Sequence, residues 1–264
     1  MPTLAVCSAP PSSPFDAPPW RTLTAALRAA SPDLILLNEM PFGAWIAAAP
    51  RPDERARTES RRLHDAGIAS LDELGAPTVL GTRPALDEGR SVNEAFVWER
   101  GRGATAAHTK QFFPDEPGYY ERRWFERGRT DFRVVDAGRV RVGFLICTEV
   151  MFNEWARYYG RAGAQLIAVP RATPLASTDR WRTALRMAAI VSGCYVASSN
   201  RGGADDRGQV FGGHGWIIDP LGEIIAETSD DQPVVWAELD FDLVRRAQRE
   251  YPCYVEELPV DRYR

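Results

Sequence analysis

The chain has 264 residues, 44% hydrophobic and 26% charged, enough apolar side chain to fill one large core and too much for a disordered protein. Its net charge is −4, and its arginines are interspersed with acids, as in RPDERARTESRR (51–62), so no basic face offers itself to nucleic acid. No apolar run approaches the ~18 residues of a membrane span, and the N-terminal MPTLAVCSAPPSSP lacks the basic start of a signal peptide, which leaves a cytoplasmic location as the expectation.

TLAVCSA (3–9) reads as a first strand, and after a proline-rich loop WRTLTAALRAAS (20–31) carries apolar residues at helical spacing. PDLILLNEM (32–40) is a short continuous apolar run opened by proline, the pattern of a strand buried on both faces, with Glu39 just beyond its end. Residues 51–75 are charged and helix-prone, and PTVLGTR (77–83) and VNEAFVWER (92–100) read as strands. Lys110 follows in a loop. RVRVGFLIC (139–147) is another buried strand that stops on Cys147, and NEWARYYGRAGA (153–164) is an amphipathic helix that Asn153 is expected to cap. QLIAVP (165–170) resumes the sheet. In TDRWRTALRMAAIVSG (178–193), Trp181, Ala184, Leu185, Ala188 and Ala189 make one apolar helical face. YVASSN (195–200) reads as a strand, RGGADDRG (201–208) as a loop, and WIIDPLGEIIAE (216–227) as a hairpin turning at Pro220 and Gly222. VVWAELD (234–240) is a strand, FDLVRRAQREYP (241–252) a helix, and EELPVDRYR (256–264) a polar tail.

Strands that alternate with helices early and form hairpins late predict an α/β fold with mixed sheets, in one domain spanning 1–264. Ligand sites gather where such strands end. Glu39 and Cys147 stand at apparent strand ends. A cysteine there is ordinarily a packing residue, but Cys147 is followed at once by polar Thr148 and Glu149, and a turn at this point leaves the thiol near unpaired backbone N–H groups that favour an anion. Met40, Phe42 and Trp45 desolvate Glu39, as suits a general base. Lys110 is the only lysine among 32 basic residues. The four cysteines, Cys7, Cys147, Cys194 and Cys253, lie far apart without CxxC spacing, which argues against a zinc site or disulfides and predicts reduced thiols.

Glu39 in PDLILLNEMPFGAW, Lys110 in HTKQFFPDEPGYYERRWFERG and Cys147 in GFLICTEVMFNEWARYYGRAGAQLIAVPRATP together resemble the Glu, Lys and Cys triad of the nitrilase superfamily, the carbon–nitrogen hydrolases. SSNRGG, FGGHGWIIDPLGEIIAE and AELDFDLVRRAQREYP are similar to later landmarks of that family, and PDEPGYYERRWFERG looks most like its branch of N-carbamoyl-amine and N-carbamoyl-amino-acid amidohydrolases. The resemblance implies a four-layer α-β-β-α sandwich. It implies Cys147 as nucleophile, Glu39 as general base, Lys110 and the Thr148 backbone N–H as oxyanion donors, and Glu121 as an auxiliary glutamate, with neither metal nor organic cofactor. The substrate would be a small molecule bearing an amide, ureido or nitrile group. It further implies a homodimer or larger assembly, with helices after the nucleophile and the tail from about 250 at the interface.

The carboxylate-binding arginines that some carbamoylases carry just after the nucleophile are replaced here by Val150 and Met151. A carboxylate on the substrate would then depend on Arg171, while Glu149, Asp115, Glu116 and Glu154 would make the mouth acidic and suit an amine or a neutral molecule. Glu149, Met151, Arg171 and Thr173 are the expected substrate contacts. Thr148 stands where nitrilases commonly have an aromatic residue, which places amide or carbamoyl hydrolysis ahead of nitrile hydrolysis; a scaffold protein without catalysis is the alternative of another class. His64, His108 and His214 read as hydrogen-bonded structural histidines, and Cys194 and Cys253 as packing residues.

Overall fold

Successive residues of the first strand, β1 (Thr3–Ala9), enter two different cores: Leu4 and Val6 one, Ala5, Cys7 and Ala9 the other. The second strand, β2 (Leu34–Leu36), repeats this, with Leu34 and Leu36 on one face and Ile35 on the other. Side chains alternate along a strand, so continuous apolar runs of this kind demand a sheet covered on both sides. In the computed structural model, which describes residues 1–10, 15, 17–129, 132–205 and 208–257, one side is covered by helices and the other by a second sheet.

The remaining strands are β3 (Thr78–Asp87), β4 (Arg90–Glu99), β5 (Gly103–Thr109), β6 (Val135–Ala137), β7 (Val140–Phe144), β8 (Leu166–Ala168), β9 (Tyr195–Ser198), β10 (Asn200–Ala204), β11 (Val210–Gly212), β12 (Trp216–Ile218), β13 (Ile224–Glu227) and β14 (Val234–Glu238). The helices are α1 (Pro18–Ala30), α2 (Glu54–Ala69), the single turn α3 (Glu121–Trp124), α4 (Asn153–Arg161), α5 (Thr178–Ser192) and α6 (Phe241–Ala247). The first sheet runs β11-β10-β1-β2-β3-β4-β5, with β14 also paired to β1; the second runs β13-β12-β9-β8-β7-β6. Both are mixed: β1, β2 and β3 are parallel, in register Ala5↔Ile35↔Val79, as are β7, β8 and β9, whereas β3–β4 and β12–β13 are antiparallel hairpins.

Trp20, Leu23 and Leu27 of α1 cover the outer face of the first sheet. On the second sheet α5 buries Trp181, Leu185, Ala188 and Ala189, the apolar face its sequence prescribes. α4 and α5 approach closely because Gly160 has no side chain: a Cβ there would meet the Ser192 carbonyl oxygen at 2.1 Å. The result is the expected four-layer order of helices, sheet, sheet, helices.

Tertiary pairing makes strands of two stretches that the local pattern does not mark, and one expected helix cap is not made. The alanine-rich stretch 103–109 carries little strand propensity, yet it forms β5 because β4 offers it an edge. Residues 201–204, expected to belong to a loop, form β10 (from Asn200) alongside β1, with Ser8↔Asn200 and Ala9↔Arg201 in register. Asn153 is the first residue inside α4, and Phe152 precedes the helix without a side-chain cap. The β12–β13 hairpin turns as its sequence prescribes: the Gly222 N–H donates to the Asp219 carbonyl at 2.9 Å, and Gly222 has φ +87°. Among the described residues no helix is long and apolar enough to cross a membrane.

Candidate active site

Beyond β2 the chain turns sharply, with Met40 at φ +44°. The buried guanidinium of Arg201, on β10, takes the carbonyls of Glu39, Met40 and Gly43, so one side chain fixes this turn. The Glu39 carboxyl is thereby held inward, fully buried. Its Oε1 accepts hydrogen bonds from Asn93 Nδ2 at 2.8 Å and Lys110 Nζ at 2.8 Å. Lys110 leaves β5 with its N–H on the Asn93 carbonyl at 2.9 Å, so β4 positions both of these donors. Lys110 Nζ also donates to Oε2 of Glu121 at 2.6 Å, where α3 begins. Glu39 Oε2 and Glu121 Oε1 are buried and accept no hydrogen bond among the described residues.

Cys147 opens a short 3₁₀ turn after β7 and adopts φ +51°, an uncommon conformation for a side-chain-bearing residue. Its N–H donates to the Pro170 carbonyl at 3.0 Å. The turn's own bonding begins with Glu149 N–H on the Ile146 carbonyl, so the Thr148 N–H falls among the donors that a helical start leaves unsatisfied.

Electrostatics bind these groups together. Burial pushes the Cys147 thiol up and Glu39 adds to this, while Lys110 pulls it down, so the surroundings favour the neutral thiol. Burial works against the Lys110 ammonium, but the charges of Glu121 and Glu39 outweigh it and raise the amine above its ordinary value. Burial also raises Glu121, with Lys110 opposing and Glu39 reinforcing, as expected where one ammonium serves two carboxyls.

A cavity of about 240 Å³ opens onto Cys147 and Glu121. Thr148, Met151 and Thr173 line it, as the sequence leads one to expect, together with Tyr119 and Trp181; Glu116 and Arg180 are the exposed charged residues on its wall among those described. Two expected substrate contacts lie elsewhere. Glu149 is fully buried away from the cavity: its Oε1 accepts from the Gln111 N–H at 2.7 Å, and its Oε2 from the Ile146 N–H at 2.7 Å and His108 Nε2 at 2.8 Å. It joins the segment bearing Lys110 to the turn bearing Cys147. Arg171 is also absent from the cavity wall, its guanidinium turned to Ser198, Thr173 and the His214 carbonyl. Of the four acids expected at the mouth, only Glu116 lines the cavity, and Asp115 is paired with Arg123 at 2.6 Å.

The histidines are hydrogen-bonded as expected: His64 to the Ser60 carbonyl at 2.7 Å, His108 to Glu149, and His214 to Glu227 at 3.0 Å. Asn93, Tyr119, Arg180 and Arg201 do not stand out in the sequence. Of these Tyr119 and Arg201 belong to noted motifs, PDEPGYYERRWFERG and SSNRGG, and nothing there reveals that Arg201 clamps the turn after Glu39.

A family model described as Carbon-nitrogen hydrolase matches residues 62–249. The N-carbamoylputrescine amidase of Arabidopsis thaliana is 26% identical over 245 residues, 86% of this chain and 82% of that protein. The omega-amidase NIT2 of Homo sapiens is 27% identical over 180 residues, 66% of this chain and 65% of that protein. Among solved structures, the carbon-nitrogen hydrolase from Helicobacter pylori G27 superposes with a TM-score of 0.82 at 22% identity, over 96% of this chain and 94% of that one. An amidase from Nesterenkonia sp. does so with a TM-score of 0.75 at 21% identity, over 92% of each. The structures attest to the fold and the family model to the lineage: the chain belongs to the carbon–nitrogen hydrolases, the nitrilase superfamily.

Proposed function

We propose that this carbon–nitrogen hydrolase cleaves a terminal amide or N-carbamoyl group of a small linear substrate through a thioester on Cys147, releasing ammonia. One observation carries the reading: a fully buried ammonium, Lys110, bridges two carboxyls at 2.8 and 2.6 Å beside a cysteine at positive φ that opens onto a cavity. Cys147 Sγ attacks the carbonyl carbon while Glu39 takes the thiol proton. The carbonyl oxygen becomes negative and is held by Lys110 Nζ and the Thr148 N–H. Glu39 then returns the proton to the nitrogen, the C–N bond breaks, and ammonia leaves behind the thioester. A water, deprotonated by Glu39, adds to the thioester; the acid departs and the thiol is restored. Glu121 keeps Lys110 aimed.

Relatives named as N-carbamoylputrescine amidase and omega-amidase support linear amides as the substrate class. The test is ammonia release across N-carbamoyl amines, N-carbamoyl amino acids, ω-amides, aliphatic amides and nitriles, with Cys147→Ala as control. Turnover of an amide or carbamoyl compound that disappears in the variant is expected. Silence on the whole panel, or a fully active Cys147→Ala, sinks the reading.

A further inference from the structure

Arg171 is a buried cation that the reaction as written does not use. It is 1% exposed. Its Nε donates to Ser198 Oγ at 2.6 Å, Nη1 to Thr173 Oγ1 at 2.9 Å and Nη2 to the His214 carbonyl at 2.5 Å. The guanidinium also lies 4.5 Å from the ring centroid of Trp216 and 5.6 Å from that of Trp181. No carboxylate pairs with it among the described residues. Burial lowers it to about 9, so it remains charged at neutral pH. A buried cation without a counter-ion is costly to the fold, and three hydrogen bonds to neutral groups are a weak structural reason to keep one.

The backbone around it supplies a better reason. The Pro170 carbonyl receives the Cys147 N–H at 3.0 Å, and the Arg171 carbonyl receives the Glu39 N–H at 3.2 Å. Ala172 and Thr173, whose N–H donates to Asn200 Oδ1 at 2.9 Å, line the cavity onto which Cys147 opens. Four consecutive residues therefore touch nucleophile, base and pocket. The Arg171 side chain ties them to β9 through Ser198 and to α5 through Trp181. Charge points the same way. Among the described residues, Glu39, Lys110 and Glu121 act on Cys147, and Cys147 in turn acts on Tyr119 and Arg171; the cations of this group are Lys110 and Arg171. Lys110 is already shared between two carboxyls, and attack places further negative charge on sulfur and then oxygen.

We propose that Arg171 is a positioning residue for the hydrolysis: its side chain holds the 170–173 segment so that Glu39 and Cys147 keep their alignment, and its charge favours the anionic sulfur. The inference rests on the reading of Cys147 as nucleophile.

The experiment compares wild type, Arg171→Gln and Arg171→Lys for kcat, KM and the pH dependence of Cys147 alkylation by iodoacetamide, with the labelled site identified by mass spectrometry. In R171Q, kcat should fall about tenfold with KM within about twofold, and the alkylation midpoint should rise by about one pH unit, a tenfold loss of thiolate at fixed pH. R171K, which keeps the charge, should return the midpoint to that of wild type. A folded R171Q with wild-type kcat and midpoint overturns the proposal, as does a midpoint displaced equally in both variants. Should R171Q fail to fold, Ser198→Ala carries the test by removing the 2.6 Å anchor: a kcat loss of about threefold or more at constant KM supports the proposal, and wild-type kcat overturns it. An inactive Cys147→Ala beside an unaffected R171Q rejects this inference alone. Activity surviving in Cys147→Ala rejects the nucleophile reading, and this inference with it.

Discussion

Lys110 is the chain's only lysine, and its ammonium sits fully buried between Glu39 and Glu121. An ammonium is compact and can aim one N–H at a developing oxyanion while holding two carboxyls; a planar guanidinium spreads its donors over a wider fork. Lys110→Arg, conservative elsewhere in this arginine-rich chain, is therefore expected to lower kcat by about 10²-fold or more, the scale of losing one oxyanion donor. Ammonia release measures this, and an unchanged thermal midpoint shows that the fold survives. The types and order of Glu39, Lys110, Glu121 and Cys147 were legible in the sequence because each sits in a distinctive local motif. Asn93 was not, since it joins the site only through strand pairing. Glu149 and Arg171 mark the limit: the sequence does not show to which side of the backbone a side chain in a site-forming segment points, and both turn into the protein.

Helix α2 contributes a pH-sensitive joint. His64 is fully buried, with Nδ1 2.7 Å from the Ser60 carbonyl and Nε2 accepting the Phe42 N–H at 3.4 Å, a pairing that suits the neutral ring with its proton on Nδ1. Burial is the main cause that lowers its pKa from 6.5 to about 4. The unfolded chain therefore takes up a proton below 6.5 that the folded chain refuses. Stability is fully present above 6.5 and is lost as pH falls towards 4, by roughly 3 kcal/mol in all at 1.36 kcal/mol per pH unit. Urea titrations at pH 7 and pH 4.5 should show this loss in wild type, and His64→Gln should lack that part of it. A second prediction belongs to the cavity mouth, where the loop bearing Glu116 faces the start of α5 bearing Arg180, both exposed. Glu116→Gln should raise KM for amides with a distal amine, and Arg180→Gln for those with a distal carboxylate, each about twofold to fivefold, the worth of an exposed charge pair. Of the acidic mouth expected from the sequence only Glu116 lines the cavity, and Arg180 was hidden because it stands near the start of a helix whose apolar face dominates its pattern.

At the scale of the molecule, the tail after α6 lies along α4 and α5. Arg157 donates to the Pro252 carbonyl at 3.2 Å, Arg161 pairs with Glu257 at 2.7 Å, and Cys253 Sγ approaches the Ile190 carbonyl at 3.5 Å. Tyr158 on α4, Met187 on α5, and Tyr251 and Tyr254 on the tail remain exposed on these packed elements. We propose this face as the self-association surface; residues 258–264, the rest of the tail expected there, lie outside the described residues. Sedimentation velocity should give a dimer or larger species, and Tyr158→Asp with Tyr254→Asp should shift it towards monomer by tenfold or more in dissociation constant, because burying an unpaired charge is costly. Monomer behaviour of wild type at micromolar concentration would refute the proposal.

The sequence by itself determined the α/β order, the strands buried on both faces, the apolar face of α5 and the motifs that single out Glu39, Lys110, Glu121 and Cys147. These are local properties: period-2 and period-3.6 patterns and short motifs are written into neighbouring residues. Only the tertiary structure decided that β5 and β10 are strands, that Asn93 shares Glu39 with Lys110, that Arg201 clamps the turn after Glu39, and that Glu149 and Arg171 brace the site from within instead of lining it. Each of these depends on which distant segment supplies the missing hydrogen-bond partner, and that is fixed when the sheets pair and pack.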